Sequence, residues 1–227
     1  MRVEPFTLDS YIHTIKRGAR GLPIVADDAD RWRFLRLLFY MNDEYLDENW
    51  DQVTKQNDLF HRPDWWPERS AIVRILGFTL MSNHVHLILQ EIRAGGVSMF
   101  MRKVSQSMTN HHNEKHHQRG SLFQGSYKSR TIQSDEYLRY VAVYVMVKNT
   151  FELYPLGGLG GAMQNFEAAW SWAISYPFSS LGEYTSGRIF PIIEKEILGE
   201  IYSNPKDFKK FAREVIKGGR WLNADFE

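Results

Sequence analysis

Residues 71–90 constrain this chain more than any other stretch. Ala71-Ile72-Val73-Arg74-Ile75-Leu76-Gly77-Phe78-Thr79-Leu80 is an apolar run of strand length, with Gly77 placed to form a bulge. Met81-Ser82-Asn83 supplies the turn or kink, and His84-Val85-His86-Leu87-Ile88-Leu89-Gln90 reads as the next strand. Side chains alternate along a strand, so His84 and His86 share one face while Val85, Leu87 and Leu89 share the other. Two imidazoles one strand step apart on a common face can both reach one divalent cation. The same pattern also fits one structural and one exposed histidine on an ordinary edge strand, so other segments must decide.

Before this pair, Ser10-Tyr11-Ile12-His13-Thr14-Ile15 alternates and reads as a first strand, followed by the basic turn Lys16-Arg17-Gly18-Ala19-Arg20-Gly21. Asp27, Asp28 and Asp30 suit a helix start, and Trp32, Leu35, Leu38 and Phe39 carry helical spacing to about Asn42. Periodicity fades over residues 43–70, where Pro63-Asp64-Trp65-Trp66-Pro67 marks a loop; this stretch reads as an insertion. Beyond the histidine pair, Val97, Phe100, Met101, Val104 and Met108 predict a helix to about His112. A loop and short strand over 121–130 and a helix over 137–149 come next. Gly157-Gly158-Leu159-Gly160-Gly161 reads as a linker, with helices expected over 164–175, 192–201 and 205–217. This order predicts an α+β protein, an antiparallel sheet with helices packed on one face, with a small helical C-terminal extension.

Composition adds exclusions. With no cysteine there is no disulfide framework and no thiolate metal site. No apolar stretch is long enough to cross a bilayer, and Met1-Arg2-Val3-Glu4-Pro5 has no signal-peptide core, so no membrane association and a cytoplasmic location are expected. The net charge of +1 conceals an asymmetry: residues 26–58 carry nine acidic side chains against four basic ones. Residues 98–130 carry Arg102, Lys103, Lys115, Arg119, Lys128 and Arg130 against Glu114 alone, which suggests either a polyanion-binding face or a solvated helix surface. His111, His112, His116 and His117 have a spacing that zinc accepts, but no thiol stands near them and Glu114 is the one acid among them in sequence, and they read as a helix end facing solvent or polyanion.

The helix over 137–149 supplies nucleophile candidates. Tyr137, Tyr140 and Tyr144 fall on one face, with Lys148 one turn after Tyr144 and Asn149 beside it. A tyrosine can attack phosphorus and split one transfer into two reversible steps, although the same spacing suits a stripe of core aromatics.

His84-Val85-His86, preceded by Met81-Ser82-Asn83, resembles the His-hydrophobic-His motif of the single-tyrosine HUH transposases. The likeness is to the REP-associated tyrosine transposases within the IS200-like group, whose common form is Met-Pro-Asn-His-Val-His; Ser82 stands here for the proline. Residues 11–21 resemble the family's first strand and Arg-Gly turn. Gly120-Ser121-Leu122-Phe123-Gln124-Gly125-Ser126-Tyr127-Lys128-Ser129 is similar to its Gly-Pro-Leu-Trp-Gln-Gly-Arg-Tyr-Lys-Ser segment. Residues 176–184 resemble its Trp-Pro-Trp-Ser-Ser-Tyr-x-x-Tyr element, so the likeness spans roughly 10–185, with 43–70 inserted. It implies a ferredoxin-like or RRM-like sheet, an HUH transposase domain over 1–155 and a mainly helical extension over 156–227.

The resemblance also implies roles. His84 and His86 would ligate Mg²⁺ or Mn²⁺, and Tyr144 would be the nucleophile, within a segment similar to the family's Tyr-Ile-x-Leu-Asn-Pro-Val-Arg-Ala. Lys148 stands where the family has a metal-site asparagine; it cannot ligate a cation but can contact the scissile phosphate or phenolate. Asn149 lies about 100° away on a regular helix and can serve as the third ligand only if the helix end is distorted. Arg17, Arg20, Arg102, Lys103, Lys128 and Arg130 are the expected phosphate contacts, with Phe123 or Tyr127 stacking on an unpaired base. The implied activity is metal-dependent cleavage and transfer of single-stranded or hairpin DNA through a 5′-phosphotyrosine, by a monomer rather than a dimer. Two other readings stay open: a nucleic-acid-binding module that has lost cleavage, motivated by Lys148, and a water-activating metal hydrolase. The hydrolase would need Glu91, which falls on the opposite strand face.

Overall fold

The computed structural model describes residues 6–55 and 59–219; residues 1–5, part of the insertion (56–58) and the end of the C-terminal extension (220–227) lie outside the described residues. Four strands form one sheet in the order β2-β3-β1-β4, every neighbouring pair antiparallel: β1 Tyr11–Arg17, β2 Arg74–Leu80, β3 His84–Gln90 and β4 Lys128–Ile132. Two helical crossovers carry the chain between them, α1 (Asp28–Tyr40) from β1 to β2 and α3 (Gly96–His116) from β3 to β4. This is the ferredoxin-like order. The bulge expected at Gly77 is present as a register shift between Ile75 and Gly77.

Register decides what each face carries. Ile15 stands opposite His86 and Arg17 opposite His84, so His13, Ile15, Arg17, His84, His86 and Ile88 lie on one side of the sheet. On the other side, Ile12, Phe78, Leu80, Val85, Leu87 and Leu89 join α1 and α3 in one apolar core. The α+β class is as the sequence predicts, but helices cover more than one face. The histidine side is also covered, by α4 (Asp135–Val143) and the turn that continues it, and Ile88 and Ile132 contribute to a second core there. The ferredoxin-like unit leaves one sheet face bare; its buried Ile88 and Ile132 need a cover that a pattern of crossovers cannot supply.

The helix ends are fixed by specific groups. Asp27 caps α1 by accepting from Asp30 N–H, and Ser134 caps α4 by accepting from Tyr137 N–H. Glu91, whose side chain is buried, accepts from Gly95 N–H at 2.7 Å and Val97 N–H at 2.8 Å, so its carboxylate sits on the N-terminus of α3. Asp30 ties the start of α1 to the end of α3. It accepts from Ala26 N–H at 2.9 Å and Lys115 Nζ at 2.7 Å, with His111 Nε2 at 3.2 Å.

The insertion is held by aromatics rather than by a helical stripe. Beyond the short α2 (Trp50–Val53), Trp50 and Trp66 are buried against Tyr40, and the Arg33 guanidinium lies 4.5 Å from the Trp50 ring centre. The glycine run expected as a linker instead enters a helix, α6 (Gly158–Gln164), after the short α5 (Asn149–Glu152). A Cβ at Gly161 would lie 1.8 Å from Leu156 O, so that glycine permits close packing rather than flexibility. Next come α7 (Phe166–Ser175), α8 (Leu181–Thr185), α9 (Glu196–Ile201, shorter than the 192–201 expected) and α10 (Pro205–Lys217). Phe166, Trp170, Tyr202 and Phe208 from these helices and their joints share the second core with α4.

Burial raises the Asp30 pKa, but hydrogen bonds from Lys115, Ala26 N–H and His111 outweigh it and hold the carboxyl down to about 2. Its ionised form therefore stabilises the fold above the unfolded value near 4, and that contribution fades as pH falls toward 2. Asp30→Asn should lower unfolding free energy by about 1–2 kcal/mol at neutral pH, allowing for solvent screening, and by much less at pH 2. Urea melts at the two pH values check this.

Candidate active site

The histidine face is built from hydrogen bonds that assign each ring its proton. Asn83 donates from Nδ2 to Gly21 O at 3.2 Å, which turns its Oδ1 toward His84 Nδ1 at 2.6 Å. An amide oxygen only accepts, so His84 carries a proton on Nδ1, and in the neutral ring the lone pair lies on Nε2. His86 Nδ1 lies 3.0 Å from His13 Nε2, and the buried His86 Nε2 has no hydrogen-bond partner. The rings of His84 and His86 are centred 4.8 Å apart. Burial, with the charge of Arg130, pushes the His13 pKa down to about 3. Burial holds His86 well below the usual histidine range, with repulsion from His13 and His84 when they are protonated and from Lys148 and Arg17. Both rings are neutral near pH 7, the form that ligates metal.

Tyr144 faces this cluster from the covering helix. Its ring centre lies 5.6 Å from His86 and 5.9 Å from His13, edge-on to both. Tyr144 opens a π turn, Tyr144–Lys148, in which Asn149 N–H bonds Tyr144 O. One extra residue is thus wound into the turn that begins at the tyrosine. That is the helix distortion Asn149 needs in order to stand one turn beyond Tyr144. Asn149 is buried, and neither its Oδ1 nor its Nδ2 has a hydrogen-bond partner. Lys148 lies with Nζ 4.8 Å from the Tyr144 ring centre and 2.6 Å from Glu152 Oε1.

Hydroxyl groups brace the π turn, and their role is not visible in the sequence. Thr79, opposite His86 on β2, donates to Val145 O at 2.7 Å, while Thr150 donates to Met146 O at 2.8 Å. Ser179 Oγ lies 3.3 Å from Met146 O and 3.1 Å from Thr79 Oγ1, and Ser180 Oγ accepts from Phe78 N–H at 2.8 Å. The 176–184 element thereby fastens the turn to β2. Gly77 lets the turn come close, since a Cβ there would meet Met146 Sδ at 3.3 Å. The sequence signal was the Ser179-Ser180 pair itself, which had no role until its partners were known.

The basic residues divide between two sides. Arg17 stands opposite His84, Lys128 opposite Ile15 and Arg130 opposite His13, all toward the histidine face. Arg130 also lies over the Tyr137 ring at 5.5 Å. Arg20 is exposed in the turn after β1, with φ 57°. Arg102 is exposed on α3, across the sheet, where it lines a cavity of about 420 Å³ with Lys16, Gln106, Asn110 and Tyr127. Lys103 instead donates to Asp43 O at 2.5 Å. Phe123 is buried with Lys16 Nζ 5.2 Å from its ring centre, and Tyr127 is half-buried with its hydroxyl 2.9 Å from Ser98 Oγ.

Two further expectations resolve. The Glu91 carboxylate is taken up by the start of α3, which leaves a water-activating hydrolase without its base. Of the clustered histidines, His112 and His116 have ring centres 4.5 Å apart with planes tilted by 45°, and His111 turns to Asp30. Among the described residues, no group of three or more His, Cys, Asp or Glu side chains could hold a metal. Two imidazoles with an amide oxygen are a donor set that a divalent cation accepts once phosphate and water oxygens complete it, and the buried, unpartnered Asn149 carries such an amide.

The family model described as "Transposase IS200 like" matches residues 68–148, the segment that runs from before β2 to the end of the π turn. The family named from the motifs is thus the one this match finds over the histidine pair and the tyrosine. Among solved structures, the chain is similar to a REP-associated tyrosine transposase bound to a REP hairpin, at 13% identity and a TM-score of 0.46, covering 86% of this chain and 89% of that one. No curated protein matches the chain.

Because the π turn winds one extra residue between Tyr144 and Asn149, deleting Lys148 should let the turn relax to α-helical spacing while Asn149 keeps its bond to Tyr144 O. The deletion variant should fold with a melting temperature within a few degrees of the parent. Collapse of the fold on calorimetry would contradict this.

Proposed function

We propose that the chain is a transposase of the IS200-like kind that cleaves and rejoins single-stranded, hairpin-flanked DNA through Tyr144. The observation that carries the reading is a buried face on which the His84 and His86 rings are centred 4.8 Å apart, His86 Nε2 has no hydrogen-bond partner, and the Tyr144 ring centre stands 5.6 Å from that of His86. His84, His86 and Asn149 would hold Mg²⁺ or Mn²⁺, which when bound supplies Lewis-acid polarisation of the scissile phosphate. Tyr144 Oη attacks phosphorus in line, the bond from phosphorus to the 3′ oxygen breaks, and that oxygen leaves as a 3′-OH. The product is a 5′-phosphotyrosine, and attack by another 3′-OH reverses the step. Lys148, above the Tyr144 ring, steadies the negative charge of the phenolate.

Arg17, Lys128 and Arg130 would carry the strand's phosphates past the histidines, with Arg20 at their end. Arg102 and Tyr127, around the cavity on α3, form a separate candidate surface for the hairpin. Histidines and tyrosine come from one chain, so a monomer suffices. Among the described residues no helix is long and apolar enough to cross a membrane.

A second reading has an observation of its own: Tyr144 is only 3% exposed, with Lys148 against its ring, as in a binding module that no longer cleaves. One assay separates the two. Incubated with single-stranded hairpin DNA and Mn²⁺, the protein should form a denaturation-resistant adduct, and Tyr144→Phe should abolish it while hairpin affinity stays within about threefold. Binding without adduct supports the second reading, and an adduct that survives Tyr144→Phe removes Tyr144 as nucleophile.

A further inference from the structure

His13 is a buried histidine that the proposed chemistry leaves without a task. It sits in mid-strand on β1, 2% exposed, with Nε2 3.0 Å from His86 Nδ1. The two rings are inclined by 10° with centres 5.3 Å apart. Two centre-to-nitrogen distances added to the 3.0 Å contact account for that separation, so the rings meet edge to edge, nearly in one plane. In-plane approach is what an imidazole N–H and an imidazole lone pair require of each other.

Such a contact has two possible senses. If His13 donated, His86 would carry its proton on Nε2, which has no partner and would be an orphaned buried donor. If His86 donates, its Nε2 becomes a buried, unprotonated nitrogen in a ring centred 5.6 Å from that of Tyr144. His84 already shows this arrangement, with Asn83 in the accepting place. We infer that His13 is a positioning residue: it accepts the proton of His86 Nδ1 and thereby keeps His86 Nε2 free to bind a divalent cation. The inference rests on the reading of His86 as a ligand. Ligating histidines commonly hand their second N–H to a fixed acceptor, and loss of that acceptor costs about 10–100-fold in metal affinity.

The direct test is the tautomer of His86 in the metal-free wild-type protein, read from ¹⁵N-imidazole correlation spectra. The expected result is a proton on Nδ1; a proton on Nε2 overturns the inference, whether or not any variant folds. Mn²⁺ titration then compares variants. His13→Phe keeps the ring and removes the acceptor, and it should weaken Mn²⁺ binding about 10–100-fold. His13→Gln, which returns an amide oxygen, should recover most of that loss. Unchanged Mn²⁺ affinity in a folded His13→Phe protein overturns the inference. A wild-type protein that binds no Mn²⁺ removes the metal reading of the site, while the tautomer spectrum still decides the role of His13.

Discussion

The antiparallel register of β1 against β3 is the constraint on which the molecule depends. With Ile15 opposite His86 and Arg17 opposite His84, the buried histidines His13, His84 and His86 all turn away from the α1 and α3 core. A slip of one residue would carry His13 into that apolar core and expose Ile12 on the histidine side. Burying an unpaired imidazole is costly, whereas here Asn83 takes up Nδ1 of His84 and His13 takes up Nδ1 of His86. The register thus fixes both a hydrophobic core and a polar face in a single act of pairing.

The covering helix meets that face with one residue too many. The π turn over Tyr144–Lys148 winds one more residue between Tyr144 and Asn149 than an α turn would. The Val145 and Met146 carbonyls of that turn take hydroxyl donors from Thr79, Thr150 and Ser179. These donors come from β2, from the helix itself and from the C-terminal part of the chain, so the irregular turn is fastened on three sides. The result keeps a buried asparagine one turn beyond the tyrosine despite the extra residue in the turn.

Much of this was legible in the sequence where periodicity carried it. The β2 and β3 runs, the bulge at Gly77, the common face of His84 and His86, and the helices α1, α3 and α10 come from apolar spacing within a few residues. Other features depend on partners distant in sequence. Trp50 and Trp66 anchor the insertion through Tyr40, and no local period announces that contact. The glycines at 157–161 look like a linker until the Leu156 carbonyl beside Gly161 explains them. His13 reads as an ordinary polar strand position because its partner is 73 residues away. Alternation along β3 sets Glu91 on the far face, yet its binding to the start of α3 shows only in three dimensions.

The proposed site makes a spatial prediction: a divalent cation would bind among His84 Nε2, His86 Nε2 and the Asn149 amide. Anomalous diffraction from crystals soaked in Mn²⁺ locates the ion directly. The account predicts a single strong peak bounded by those three side chains, on the Tyr144 side of the sheet. A peak at the His112 and His116 pair instead, with none on the β3 face, would contradict it.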